Sequence, residues 1–143
     1  MILSDIDIGK KDKKGEKSGE KEVIKVFVIT GPETSGIVTY EKEVDGRKVY
    51  SGMAWDILQA VAALPDFEKY KIEYTFSEPG FNNYTETVEW VSTGKYDLGL
   101  ATYSQNKKRE NIVNYTVPIT IDAYAVFHYR DTSVYDVFRD VLS

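Results

Sequence analysis

The segment from Gly94 to Pro118 constrains the fold of this chain more than any other part of the sequence. It begins with a Gly-Lys turn, and the short apolar run that follows, residues 96–102, is typical of a buried strand. A polar turn then leads into one helical turn that contains Arg109, and a second apolar stretch ends at Pro118. We therefore predict two strands joined by a polar turn and a single turn of helix.

The remaining sequence alternates between strand patterns and helix patterns. The dipeptide Asp45-Gly46 predicts a hairpin, and Pro65 and Gly94 are expected to end the first and second helices. Because strands that alternate with helices form βαβ units, we predict an α/β fold with a mainly parallel sheet flanked by helices on both sides. The predicted strands are 23–29, 37–43, 47–50, 71–76, 96–102, 112–117 and 123–129, and the predicted helices are 53–64, 84–93 and 133–142. The expected inner residues are Ile57, Leu58, Val61 and Leu64 on the first helix and Tyr84, Val88 and Val91 on the second.

The chain divides by composition into a tail, a domain and a terminal helix. Residues 9–22 contain six Lys, four acidic residues and three Gly, and such a segment cannot bury apolar area. We therefore expect residues 1–22 to form a disordered charged tail and residues 23–130 to form the domain. Residues 131–143 are predicted to be an amphipathic helix whose apolar face consists of Val134, Val137, Phe138, Val141 and Leu142.

Composition and motif content disfavour several classes of function. The net charge of −5 disfavours a nucleic-acid partner, and the lack of Cys rules out disulfides and thiolate metal sites. No P-loop, Gly-x-Ser-x-Gly or His-Glu-x-x-His motif is present, so we predict that the chain is not an enzyme and uses no cofactor or metal. The single His, His128, lies in an alternating strand pattern and is interpreted as a solvent-facing residue. The sequence also shows no signal-peptide pattern and no apolar run near the roughly 20 residues that span a membrane.

The segment from Gly94 to Pro118 also contains a motif that is known from a protein family. Its positions are Gly94-Lys95-Tyr96-Asp97, Thr102-Tyr103-Ser104, Arg109-Glu110, Ile112-Val113, Asn114-Tyr115-Thr116 and Pro118. This pattern resembles the first lobe of the type II periplasmic solute-binding fold, which is also the ligand-binding core of ionotropic glutamate receptors. The segment 51–58 is similar to the Gly-x-x-x-Asp-Leu-Leu sequence that opens the first helix of that family, and the resemblance covers residues 23–130.

Arg109 is the first candidate for ligand binding. A guanidinium beside the free backbone N–H groups of a helix start, which Ser104 or Asn106 can cap, is well placed to hold a carboxylate. The alternative is a surface arginine that pairs with Glu110 or Asp97. The resemblance implies that Arg109 binds the α-carboxylate of an amino-acid ligand.

Three further residues are implied by the same resemblance. Thr102 would offer its backbone carbonyl to the ligand ammonium, and Ser104 would offer its hydroxyl and amide, unless it serves as a helix cap instead. Phe81 lies in a turn-rich loop after a predicted strand and would cover the ligand, or else pack on its own domain. The family places an aspartate at Asp97 that orients the turn, so we expect a structural role for it.

The resemblance also implies what partners to expect. The binding site of the family lies between two lobes, so this chain looks like one wall of a site for a small carboxylate or amino-acid ligand. The other wall would be a second lobe, or the chain would continue into a pre-membrane helix and a channel segment. The resemblance implies a location at the extracellular face of a membrane or in the periplasm. An interaction module that associates through the cleft face and the C-terminal helix is the alternative, and an enzyme is a third reading.

Overall fold

The structure is a computed structural model, and it describes residues 1–4, 21–35 and 38–118. The predictions for the strand 123–129, for the terminal helix and for His128 lie outside the described residues. The charged segment from residue 5 to residue 20 also lies outside them, and so does the predicted association through the C-terminal helix.

Seven strands and three α-helices form the described part of the chain. The strands are β1 (Ile2–Leu3), β2 (Glu22–Val28), β3 (Tyr40–Val44), β4 (Arg47–Ser51), β5 (Tyr70–Phe76), β6 (Leu98–Leu100) and β7 (Asn114–Tyr115). The helices are α1 (Met53–Ala62), α2 (Tyr84–Ser92) and α3 (Lys107–Glu110), and short 3₁₀ turns occur at Glu33–Ser35 and Pro65–Phe67.

Five of the strands form one sheet in the order β5-β2-β6-β1-β7, and β3 and β4 form a separate hairpin. β2 pairs in parallel with both β5 and β6, whereas β1 runs antiparallel to β6 and β7. Four strands therefore point in one direction and β1 points in the other. The predicted α/β class with a mostly parallel sheet is confirmed.

Each face of the sheet is covered by a helix. Alternate residues of β2 point to opposite faces, so Val26 packs with Leu58 of α1, while Phe27 packs in a second cluster with Trp90 of α2. Val88 and Val91 of α2 bury a third cluster together with Ile2. The sheet therefore lies between α1 and α2, which is the arrangement that the βαβ pattern predicted.

The hairpin and the helix ends follow from local chemistry. Asp45 and Gly46 adopt positive φ angles of 52° and 76°, as a two-residue hairpin turn requires, so the predicted hairpin is confirmed. The first helix ends two residues earlier than predicted, and Leu64 is 50% exposed instead of buried. Leu64 precedes Pro65, and the steric effect of proline places it in an extended conformation outside the helix.

The prediction of an unpacked tail does not hold for residues 1–4 or for Glu22. Ile2 is 0% exposed, and β1 lies inside the sheet between β6 and β7. Glu22 begins β2. The three apolar residues at positions 1–3 are too few to show a period, and the pairing partners of β1 lie about a hundred residues away in sequence.

The predicted strands 96–102 and 112–117 are shorter than expected. The first of them is reduced to Leu98–Leu100, and the side chain of Asp97, just ahead of it, accepts a hydrogen bond from the backbone of β2. The second is reduced to Asn114–Tyr115, the two residues that pair with β1. β7 is limited by the length of β1, whereas β6 extends one residue further because Leu100 pairs with Val28 of β2.

Candidate functional site

The candidate site lies where three parallel strands end together. Val28 of β2 pairs with Phe76 of β5 and with Leu100 of β6, so the carboxyl ends of these strands share one edge of the sheet. Open α/β sheets bind their ligands outside this edge. All four predicted site residues follow strands that end at this edge. Phe81 lies in the loop after β5, and Thr102, Ser104 and Arg109 lie in the segment after β6.

A hydrogen-bonded contact joins the loops that follow β2 and β5. The backbone N–H of Thr30 donates to Ser77 Oγ at 2.9 Å, and Ser77 N–H donates to the carbonyl of Val28 at 2.9 Å. Ser77 is buried, so both of these bonds are shielded from water. The edge of the sheet is therefore held in place beside the candidate site.

The short helix α3 positions Arg109 through its cap. Asn106 is the N-cap, and its Oδ1 accepts a hydrogen bond from the backbone N–H of Arg109 at 3.0 Å. The capping role that was open for Ser104 therefore belongs to Asn106. The side chain of Ser104 is exposed, and among the described residues none hydrogen-bonds to its hydroxyl.

The guanidinium of Arg109 is anchored on the loop that precedes α3. Its Nη1 donates to the backbone carbonyl of Ser104 at 3.2 Å, and the hydroxyl of Tyr115 donates to the same carbonyl at 2.9 Å. A carbonyl oxygen has two lone pairs, so these two donors satisfy it. One nitrogen of the fork is thus fixed, and the remaining N–H groups lie on a half-buried side chain at the protein surface.

The two carboxylates that could have paired with Arg109 are engaged elsewhere. Glu110 Oε1 accepts a hydrogen bond from Gln105 Nε2 at 2.8 Å. Asp97 is 4% exposed and accepts a bond from the backbone N–H of Lys25 at 2.9 Å. Within the described ranges no carboxylate forms an ion pair with Arg109, so its charge is available to an anion.

Two tyrosines that the sequence patterns did not single out adjoin this arginine. Burial raises the pKa of Tyr103 to about 12, although its hydrogen bond to Thr87 and the charge of Arg109 act in the opposite direction. Partial burial also raises the pKa of Tyr115, and Arg109 again opposes the shift. Both hydroxyls therefore stay protonated at neutral pH and serve as hydrogen-bond groups. The sequence signal that could have pointed to Tyr115 is the presence of a tyrosine in the second predicted strand of the Gly94–Pro118 segment.

The other predicted site residues occupy different environments. Thr102 is exposed, and its carbonyl forms no hydrogen bond with the described residues. Phe81 is half-buried, with its ring centroid 5.8 Å from that of Phe27 and 6.3 Å from that of Trp90. These contacts correspond to packing on its own domain. The structure therefore brings Arg109 and Ser104 into contact and places Thr102 two residues away, while Phe81 belongs to the aromatic cluster beneath the loop.

Asp97 joins two neighbouring strands instead of facing the site. Besides its side-chain bond to Lys25, its backbone N–H donates to the carbonyl of Lys25 at 2.8 Å, and its carbonyl accepts from Ser4 at 3.0 Å. These contacts link β6 to both β2 and β1. They agree with the structural role expected from the sequence.

A shallow groove of about 690 Å³ lies between the hairpin and α1, away from these residues. It contains none of the four predicted site residues, and the carboxylate of Asp56 lines it, which disfavours an anionic ligand. Its lining consists of Tyr40, Ser51, Gly52, Met53, Asp56, Ile57 and Ala60.

No family model, no curated protein and no solved structure matches this chain. Over residues 1–4, 21–35 and 38–118, no helix has the length and apolar character needed to cross a bilayer. The same residues contain no group of three or more His, Cys, Asp and Glu side chains that could hold a metal ion.

Proposed function

We propose that this chain is a non-catalytic ligand-binding lobe of the type II solute-binding kind, which captures an amino-acid-like carboxylate through Arg109. The guanidinium binds the carboxylate, and the exposed Ser104 adds its hydroxyl and amide. The carbonyl of Thr102, which bonds to none of the described residues, accepts from the ligand ammonium. We further propose that the lobe works at the extracellular face of a membrane or in the periplasm, opposite a second lobe or attached to a channel segment.

The observation that carries this proposal is the state of Arg109. Its guanidinium is held through one nitrogen by the Ser104 carbonyl, and no described carboxylate neutralises it. An arginine fixed in this way loses little further side-chain entropy when it binds an anion, and its fork can form two parallel bonds to a carboxylate. The location at the carboxyl edge of a mostly parallel sheet supports the same conclusion.

A protein-interaction module built on an incomplete solute-binding fold is the second candidate. The observation in its favour is the exposed hairpin, where Val44 is 51% exposed and Val49 is 41% exposed. In the ladder Lys42 lies opposite Val49, and Val44 lies opposite Arg47, so the two valines share one face of the ribbon. A partner chain could cover that face without any contribution from Arg109.

Calorimetric titration with a panel of free amino acids tests the first proposal. A single lobe supplies half of the contacts of a closed site, so we expect weak, millimolar binding. Arg109→Ala should abolish it, and Arg109→Lys should weaken it because a lysine keeps the charge but loses the fork.

The matched control is Lys108→Ala, which removes an exposed cation one residue away on the same helix. Binding should persist in this variant. Equal losses in Lys108→Ala and Arg109→Ala would reduce the effect to net charge and refute a specific clamp. No binding by the unmodified chain would favour the interaction module.

A further inference from the structure

The position of β1 defines a binding slot in the sheet. β1 lies between β6 and β7, antiparallel to both, with Ile2 opposite Gly99 on one side and opposite Tyr115 on the other. The backbone of Ser4 donates to Asp97 at 3.0 Å, and Thr116 donates to the carbonyl of Met1 at 3.1 Å. A strand of two residues is therefore bonded along both of its edges, as a peptide bound by strand addition would be.

The slot has a shape that selects an apolar side chain. Ile2 is fully buried and packs against Val88 and Val91 of α2 and against Val113. Gly99 lines the slot on the β6 side, and a Cβ atom there would lie 2.8 Å from Ile2 Cγ1, so a side chain at this position would close it. Backbone pairing supplies general affinity for an extended segment, and this pocket supplies selectivity for a residue such as isoleucine.

A long stretch of sequence lies between β1 and β2, the next strand of the sheet along the chain. Residues 5–21 connect it to β2, and most of them are charged, polar or glycine. A tether of this length keeps the attached strand near its own slot at an effective concentration in the millimolar range. The tether thus favours the strand of the same chain by concentration alone.

We propose that the slot between β6 and β7 is a strand-binding site whose occupant is exchangeable, and that it accepts the Met1–Ser4 segment of a second copy of this chain. We choose a second copy as the occupant because the structure shows that residues 1–4 of this sequence fit the slot, and every copy of the chain contains them. At low concentration each chain fills its own slot. When chains fold together at concentrations near that of the tethered strand, strands are exchanged and a dimer forms. This proposal concerns the strand slot and goes beyond the proposed function. The two places share one residue, because Tyr115 of β7 pairs with Ile2 and also donates to the Ser104 carbonyl.

The lack of Cys in the sequence allows exchange to be trapped directly. Leu3 and Leu98 are partners in the ladder between β1 and β6, and opposed residues of antiparallel strands lie close enough for a disulfide. Leu3→Cys and Leu98→Cys chains are unfolded together, refolded by dilution and then oxidised. Covalent heterodimer beyond that of random thiol pairing forms only if the segment of one copy occupies the slot of the other.

The expected yield follows mass action. Refolding at a chain concentration near that of the tethered strand should give a substantial heterodimer fraction, and tenfold dilution before refolding should lower it about fivefold. A control pair, Leu3→Cys with Val117→Cys, places the second thiol at a residue that is 84% exposed and outside the slot. A yield no higher than that of the control pair would overturn the proposal.

A second variant keeps the test independent of the cysteine substitutions. Adding Gly99→Val to the Leu98→Cys chain narrows the slot and should remove the heterodimer, because the new side chain takes the space of Ile2. Adding Ile2→Asp to that same chain leaves its slot intact and should preserve the heterodimer. An unchanged yield in the first variant, or loss in both, would show that the segment does not enter this slot.

Discussion

The contact between Ile2 and Gly99 predicts a measurable coupling between two substitutions. Ile2→Ala removes three carbon atoms from a fully buried side chain. At roughly 0.8 kcal/mol for each buried carbon the loss is more than 2 kcal/mol, and the cavity left behind raises it to about 4 kcal/mol. The free energy of unfolding should fall by this amount if β1 occupies the slot in solution.

Gly99→Ala should be harmful in the unmodified chain and tolerated when Ile2 is also alanine. The new Cβ would lie 2.8 Å from Ile2 Cγ1 and 3.1 Å from Ile2 Cδ1, which is close enough to force a shift. We expect a cost of about 1 to 2 kcal/mol from this overpacking. Ile2→Ala removes both of those atoms and leaves the hydroxyl of Tyr103, 3.1 Å from the new Cβ, so the second substitution should then cost less, and the coupling energy should be about 1 kcal/mol.

Urea denaturation of the four proteins, followed by circular dichroism, measures this cycle. Val117→Ala at an exposed position is the control for a general effect of truncation and should change stability by less than about 0.5 kcal/mol. Additive effects of Ile2→Ala and Gly99→Ala would refute the reasoning, because they would mean that the two residues are not in contact in solution.

Three further predictions follow from buried groups and from strained backbone. Asp97→Ala should cost about 2 to 3 kcal/mol in urea denaturation, because Lys25 loses the acceptor of its backbone N–H, whereas Asp97→Asn, which keeps an oxygen, should cost less. Because burial raises the pKa of Tyr103 to about 12, its protonated hydroxyl contributes fully to the free energy of unfolding below pH 10, and this contribution, about 2 kcal/mol, should be lost as the pH rises to 12. Tyr103→Phe should make the free energy of unfolding less dependent on pH between 10 and 12. An identical pH dependence in both proteins would contradict the assignment. Gly52→Ala places a Cβ 2.0 Å from the backbone oxygen of Val38, at a φ of 117°. It should destabilise the protein far more than Gly80→Ala, where φ is 82° and a Cβ meets open space. Equal changes in the melting temperature of the two variants would contradict the contact.

The parts of the fold that were predictable are those with a long local signal. The runs that became β2, β5, α1 and α2 each extend over seven or more residues, so their hydrophobic period was visible and their bounds were predicted within a few residues. The Asp45-Gly46 turn was equally readable, because few residue pairs adopt two positive φ angles.

The parts that were not predictable depend on distant pairing. β1 has two residues and no period, and its place in the sheet depends on β6 and β7. The environment of Arg109 was missed for a similar reason, because Tyr115 reaches the Ser104 carbonyl only when β7 is paired in the sheet. The capping choice between Ser104 and Asn106 depended on backbone geometry that spacing alone does not define.

The interior position of β1 also affects the order in which the sheet is completed. Ile2 is synthesised about a hundred residues before Gly99 and Tyr115, its partners, so at roughly 5 to 20 residues per second it waits for several seconds. In the described sheet β7 pairs with β1 alone, so β7 can join the sheet only after β1 has paired with β6. Closing a loop of that length carries an entropic cost, which favours late docking. Ile2→Ala should then speed unfolding and leave refolding unchanged, and stopped-flow traces in which refolding slows instead would place β1 in the nucleus.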